Sequence, residues 1–441
     1  MRFVRDKPPF ARVWVYSVFL SAGFISQAVS SSVENVNEGQ PAIALRLDTT
    51  LRPSFKSPIE NLIPPKQEEE NKTDIKAAEE GAPKPLKFAG YLKTLLINSK
   101  TPDAEADAYT LSLNRLRLKA TYDVPSRLEL HVEHDTEVRA GNYLTTAAFR
   151  REKDLPTQQY WRAESVLVDE RHYYISQRLY RAYAKFSRDA ADLTVGRQRI
   201  PLGTGRLWST LDMLNPVNPV QIERDEYIGV DAGLLEYKTS ALSKFSLIYA
   251  PDPARINDRW IGQYRTNVKG TDVTFTQGKY WNDYVTGVDF ATQVGSTGTG
   301  IHGELAYSIP EFGGAYQKLL LGFDHQFANT LELSAEVYYS SQRKADRAAQ
   351  FAQNPLRLQL EPLDGYYIGF VPSYEFTPLL KISSYFLFNL SDHSRFAYPS
   401  LSYSLSDNLN ITGGVQLYSG SAQSEYGQGK NLFYGQMQWF Y

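Results

Sequence analysis

The chain has 441 residues, a formal charge of -2 at pH 7 and no cysteine. The missing cysteines exclude disulfides, thiolate metal sites, covalently attached c-type haem and a lipid-bearing N-terminal cysteine, and the balanced charge leaves no electrostatic footprint for nucleic acid. Mean hydropathy is -0.40, yet Tyr, Phe and Trp make up 13% of the chain, a combination expected where alternate strand residues face water and aromatic girdles mark two interfaces.

Arg2, Arg5, Lys7 and Arg12 precede an uncharged apolar run at 13–25, and Ala28-Val29-Ser30 then supplies small residues. This pattern predicts a secretory signal peptide over 1–30. The run is well short of the roughly 20 residues of a membrane-spanning helix, and no later stretch reaches that length. Residues 31–85 are rich in Pro, Glu and Lys, too polar to offset their ordering entropy by burial. A flexible periplasmic leader is expected there; a plug or a partner-docking segment is the alternative.

From residue 86 to 441 the sequence parses into alternating segments of about 10 residues, the length of a tilted strand crossing a bilayer. They fall at 88–98, 109–122, 127–137, 178–187, 192–196 with its continuation, 228–238, 245–250, 283–294, 300–309, 316–326, 331–340, 366–375, 380–390, 396–405, 409–419 and 431–441. The link after every second segment is short, whereas the long links, 140–177, 197–227, 251–282 and 341–365, all lie on the other side. Outer-membrane barrels sort their loops in this way. The expected fold is all-β, a transmembrane antiparallel up-and-down barrel of about sixteen strands. Residues 259–277 also alternate; they make eighteen strands if they form one more membrane hairpin, and sixteen if they stand above the membrane as a ribbon.

Charge assigns the faces. A basic residue facing lipid at mid-bilayer costs roughly 2 to 4 kcal/mol, so Arg115, Arg117 and Lys119 are expected in the lumen. The same argument turns Arg127, Glu129, His131 and Glu133 of the next strand inward, then Arg181, Tyr183 and Lys185, leaving Leu128, Leu130, Tyr180 and Ala182 to the lipid. Leu111 and Leu113 have the opposite parity to Leu116, which predicts a bulge near Asn114. Farther round, Asp324, Glu332 and Glu336 turn inward. One reading is a basic wall opposite an acidic wall; the plainer one is that charge keeps the lumen wet.

The strand end Gly196-Arg197-Gln198 runs into the third loop on the long-link side, where Gly203, Gly205 and two Asn-Pro pairs give tight turns. Leu207, Trp208, Leu211, Met213 and Leu214 in the same stretch demand burial, so this loop is expected to fold back against the barrel wall. The last eleven residues alternate Phe433, Gly435, Met437 and Trp439 with polar or aromatic neighbours and end at Tyr441. A closed barrel needs such a last strand to seal against the first, with an aromatic at the interface.

Together these features resemble the Gram-negative porins, in which a Gly-Arg-Gln strand end leads into a third loop that folds inward and narrows the pore. By position, the resemblance puts Arg197 on the wall and Arg206, Asp212, Glu223, Arg224, Asp225 and Glu226 near the narrowing. It also implies the bacterial outer membrane and makes a homotrimer plausible. The resulting expectation is a passive channel for small hydrophilic solutes or ions, in contact with outer-membrane lipid, without cofactor or metal and not an enzyme. Two other readings stand beside it. A structural barrel would sheathe or dock a periplasmic or export partner. A barrel-borne hydrolase is weakened because His131 and His134 point to opposite faces of one strand and cannot both ligate one ion without a bulge.

Overall fold

The computed structural model describes residues 85–100, 108–125, 127–154, 159–212, 214–215, 218–223, 227–253, 258–280, 283–311, 313–343 and 365–441. The expected signal peptide, the leader up to residue 84, and Met213, Arg224, Asp225 and Glu226 lie outside the described residues.

The strands are β1 (Leu86–Lys100), β2 (Ala108–Val124), β3 (Leu128–Ala140), β4 (Glu164–Asp169), β5 (Tyr173–Arg188), β6 (Ala191–Gln198), β7 (Val230–Ser240), β8 (Ser243–Ala250), β9 (Arg259–Val268), β10 (Thr271–Tyr280), β11 (Asp283–Gln293), β12 (Thr299–Ile309), β13 (Tyr316–Gln326), β14 (Glu332–Ser340), β15 (Gly365–Thr377), β16 (Leu380–Asn389), β17 (Ser394–Ser406), β18 (Leu409–Ser419) and β19 (Leu432–Phe440). Short β4 is an addition to the edge of β5, and the other eighteen form an antiparallel wall in chain order. β1 pairs with β19 from Tyr91↔Phe440 to Asn98↔Phe433 and closes it. Closure pairs both sides of the eighteen wall strands, the condition for strands to cross lipid.

The count of eighteen settles residues 259–277. β9 and β10 are full wall strands paired to β8 and β11. They are joined by Lys269-Gly270, with φ of 53° and 87°, the two left-handed residues of a tight hairpin whose twist matches that of its strands. The stretch 251–282 is therefore not one long loop.

Alternation follows the expected faces. On β13, Leu319, Leu321 and Phe323 are exposed outward, while Lys318 and Leu320 are buried inside. No helix among the described residues is long and apolar enough to cross a membrane; the apolar band belongs to the strands. Tyr441 seals the last seam, exchanging backbone hydrogen bonds with Gly90 and donating its hydroxyl to the Arg117 carbonyl at 3.1 Å. A Cβ at residue 90 would sit 2.3 Å from both the Arg117 carbonyl oxygen and the Tyr441 hydroxyl, so only glycine lets the terminal aromatic lie across β1.

One expectation fails in an instructive way. The register of β2 runs unbroken through Asn114 on both sides, so no bulge occurs there. Leu111 and Leu113 share the inward parity of Arg115 and are buried inside the barrel. The bulge lies in β5, where Glu133 faces Arg181 but His134 faces Leu179, leaving Tyr180 as the extra residue. Tyr180, expected toward lipid, instead turns inward and is 1% exposed. The shift also lets Arg178 and Arg181 both reach acids of β3.

Candidate functional site

β6 leaves the wall at Gln198 and the chain rejoins it at Val230; between them the third loop crosses the barrel interior. Its apolar residues find the burial that their sequence demands. Leu207 and Trp208 pack with Leu95, Leu113, Leu320, Tyr338, Tyr367 and Leu387, which is the cover that inward Leu113 needs. Ile200, Leu202, Leu211 and Leu214 pack on the other side, against Ile248, Ile261, Tyr280 and Val285. Burial of each Leu is worth about 1.5 to 3 kcal/mol, which offsets part of the entropy cost of holding a loop inside.

Two carboxylates then fix its position. Glu304 of β12 accepts the backbone N–H groups of Thr204 (2.6 Å), Gly205 (2.6 Å), Thr210 (2.5 Å) and Leu211 (3.2 Å), together with the hydroxyls of Ser209 and Thr210. Glu336 of β14 accepts those of Arg206 (2.6 Å), Leu207 (2.9 Å) and Trp208 (3.2 Å). Buried carboxylates are tolerated when their oxygens are so fully engaged. His302 stands between Asp324, 3.1 Å from Nδ1, and Glu336, 2.9 Å from Nε2, so each ring nitrogen has an acceptor and can donate to it. The Arg206 guanidinium pairs with Asp324.

The returning half of the loop is tied to both sides of the seam between β1 and β19. Glu223 pairs with Lys93 at 3.1 Å and Arg115 at 2.7 Å, and Gln416 of β18 donates to the Val220 carbonyl at 2.8 Å. The loop is thus strung from β12 and β14 to β1, β2 and β18. Within it, Asp212 accepts the N–H groups of Leu214 and Asn215; burial outweighs these bonds and pushes its carboxyl up to about 7.

Beside the loop runs a ladder of charge on β2, β3 and β5. Arg117 pairs with Asp135 at 2.6 Å, Arg115 with Glu137 at 2.8 Å, Arg178 with Asp135 at 3.3 Å and Arg181 with Glu133 at 3.5 Å. The Arg117 guanidinium also lies 3.4 Å from the centre of the Tyr180 ring, a cation–π contact. Accessibility divides the ladder into two layers. The side chains of Glu133, Asp135 and Glu137 are 3%, 1% and 6% exposed, whereas those of Lys119, Lys185, Arg178 and Arg181 are 36%, 33%, 27% and 23% exposed. The acids form the floor together with Arg115 and Arg117, each 4% exposed, and the other bases form the surface. Lys185 lies 3.7 Å from Asp192, and Glu129 accepts from the Tyr183 hydroxyl at 2.8 Å.

Not every expected residue joins this site. Arg127 precedes β3 at the short turn, where its carbonyl accepts from Ser187. Asp324 and Glu336 face inward but are engaged by Arg206, His302 and the loop, and Glu332 pairs with Lys381 at 3.4 Å. The acidic side is therefore the seat of the loop rather than a bare wall facing the bases. Arg197 is on the wall but carries the outward parity of Leu193 and Val195, so it does not line the narrowing. It pairs with Asp231 at 2.8 Å and donates to the carbonyls of Leu179 and Trp161. Those bonds clasp a patch in the wall: where β6 turns inward, the vacated edge of β5 is taken by β4. Sequence reasoning missed Lys93, Asp135, Glu137, His302 and Glu304, although period-two parity with inward Glu133 would have found Asp135 and Glu137. Among the described residues no group of three or more His, Cys, Asp or Glu is placed to hold a metal ion.

No protein-family model matches the sequence, and no curated protein matches it. Solved structures do. OccK5 (OpdH) of Pseudomonas aeruginosa superposes with a TM-score of 0.51 at 12% identity, over 81% of this chain and 97% of that one. OccAB4 of Acinetobacter baumannii gives 0.51 at 11% identity, over 81% and 97%. OpdK of Pseudomonas aeruginosa, solved with vanillate, gives 0.51 at 10% identity, over 81% and 98%. At such identities the likeness speaks for architecture, and it agrees with the closed wall, the loop sorting and the outward apolar band: this chain has the fold of the Gram-negative outer-membrane porins.

Proposed function

We propose that the protein is a passive outer-membrane channel for small hydrophilic solutes, with a preference for anions along the β2–β3–β5 side of its lumen. The observation that carries this reading is the layering of the ladder. A solute passing the loop meets Lys119, Arg178, Arg181 and Lys185, while the acids that stabilise them are buried beneath. Fixed charge lining a narrow aqueous path favours counter-ions, because low-dielectric walls concentrate the field. The structural neighbour OpdK was solved with vanillate, a ligand of the kind that a basic, tyrosine-rich lumen would accept.

The test is single-channel conductance of the purified, refolded chain in a planar bilayer under a salt gradient. Stable open steps with an anion-selective reversal potential are expected. Replacing Lys119, Arg181 and Lys185 together with Gln should move that potential toward cations, whereas Arg115→Gln alone should move it little, since Arg115 is buried against Glu137 and Glu223. A folded barrel with no conductance overturns the proposal.

A further inference from the structure

We propose that Glu304 and Glu336 are the positioning residues that set the bore of this channel. The inference rests on the channel reading and deepens it. Between Thr204 and Leu211 every backbone N–H except that of Ser209 points at one of these two carboxylates. A run of N–H groups turned to one side forms a concave anion site, and the loop fills two such sites with anions from the wall. The loop's polar grip therefore depends on carboxylates located on other strands, and a substitution in the loop cannot remove its own backbone donors.

The chemistry of the pins is unforgiving. An ionised carboxylate presents only acceptors, four lone-pair sites for the converging donors. Glutamine has nearly the same shape but replaces one oxygen with an NH2 group. In Glu304→Gln that group would face either Thr204 and Gly205 or Thr210 and Leu211, donor against donor. In Glu336→Gln it would face either Arg206 and the Nε2 side of His302 or Leu207 and Trp208. The apolar contacts of Leu207, Trp208 and Leu211 remain, so the loop stays inside but loses its fixed height above the ladder.

The experiment compares wild type with Glu304→Gln/Glu336→Gln in planar bilayers, folding being checked by heat-modifiable mobility. The double variant should show a roughly twofold larger mean conductance with flickering between levels, as expected of an unpinned constriction, and each single variant the same at smaller amplitude. A covalent tether separates positioning from general damage. The Leu207 Cδ1 atom lies 2.5 Å from where a Cβ on Gly369 would stand, and the natural chain has no cysteine. Leu207→Cys/Gly369→Cys in the double-variant background should restore wild-type conductance when oxidised and lose that rescue on reduction. Folded variants that conduct as wild type does, or a formed tether that rescues nothing, overturn the inference. A wild-type barrel that never conducts removes the channel reading instead; conductance appearing only in the double variant would then keep the pins and make the loop a plug.

Discussion

Asp135→Asn keeps the shape of the side chain and removes the charge that Arg117 and Arg178 share. Asp135 is 1% exposed and receives both Nε and Nη2 of Arg117, at 2.6 and 2.7 Å, with Arg178 at 3.3 Å. Removing one partner of a buried pair typically costs about 3 to 5 kcal/mol, because the other charge is left behind. Arg117 retains some compensation, with Glu133 at 3.6 Å and the Tyr180 ring at 3.4 Å. The expected loss is therefore about 2 to 3 kcal/mol, roughly a 30- to 150-fold shift in the unfolding equilibrium. Urea unfolding of the refolded barrel in lipid, followed by tryptophan fluorescence and by heat-modifiable mobility, reads it directly. Adding Arg117→Met removes the stranded cation and should recover at least about 1 kcal/mol. An Asp135→Asn barrel within about 0.5 kcal/mol of wild type, the range of an ordinary surface change, would refute the claim that the ladder is held by its buried acids.

Trp208→Ala should cost about 3 to 5 kcal/mol, since the indole is 2% exposed and packs on Tyr338 and Tyr367; a lower urea midpoint with faster proteolysis of the third loop is the signature. Arg197→Ala should leave ion selectivity unchanged while speeding protease cleavage within residues 159–169, because the clasp on the wall patch is lost; altered selectivity would place Arg197 in the conduction path after all. For Asp212 the folded pKa, about 7, lies above the unfolded value of 3.8. Its contribution is thus fully present below about pH 4 and is lost as pH rises toward 7. Asp212→Asn should flatten that slope in a pH series of unfolding midpoints, relative to wild type measured in parallel.

The strands were legible because two signals coincide in them: alternation, and charges that cannot face lipid. The loop sorting and the inward third loop were legible too, the latter from the apolar load around Trp208. What stayed hidden has physical causes. An exposed ribbon and a membrane hairpin have the same period, so residues 259–277 carried no mark of which they were. Leu111 and Leu113 looked like lipid-facing residues out of phase, since a sequence cannot tell cover by lipid from cover by a loop about a hundred residues downstream. The bulge at Tyr180 changes parity without any special residue to announce it. Arg197 is different: the resemblance put it on the wall, and its outward parity was readable beside Leu193 and Val195.

Because the third loop touches both ends of the wall, it links constriction to assembly. Glu223 holds β1 and β2, Gln416 holds the loop to β18, and the seam between β1 and β19 lies between them. The Gln416 contact cannot form until the C-terminal strands have come round, 196 residues after Val220. Contacts so distant in sequence make folding slow. The loop must therefore be inside the nascent ring before the seam zips, and a chain that closes first would trap it on the outside with its leucines exposed. Late steps of folding, rather than the finished barrel, are where substitutions at Lys93, Glu223 or Gln416 would be felt most, as a lower yield of closed barrel from a chain whose mature wall differs little.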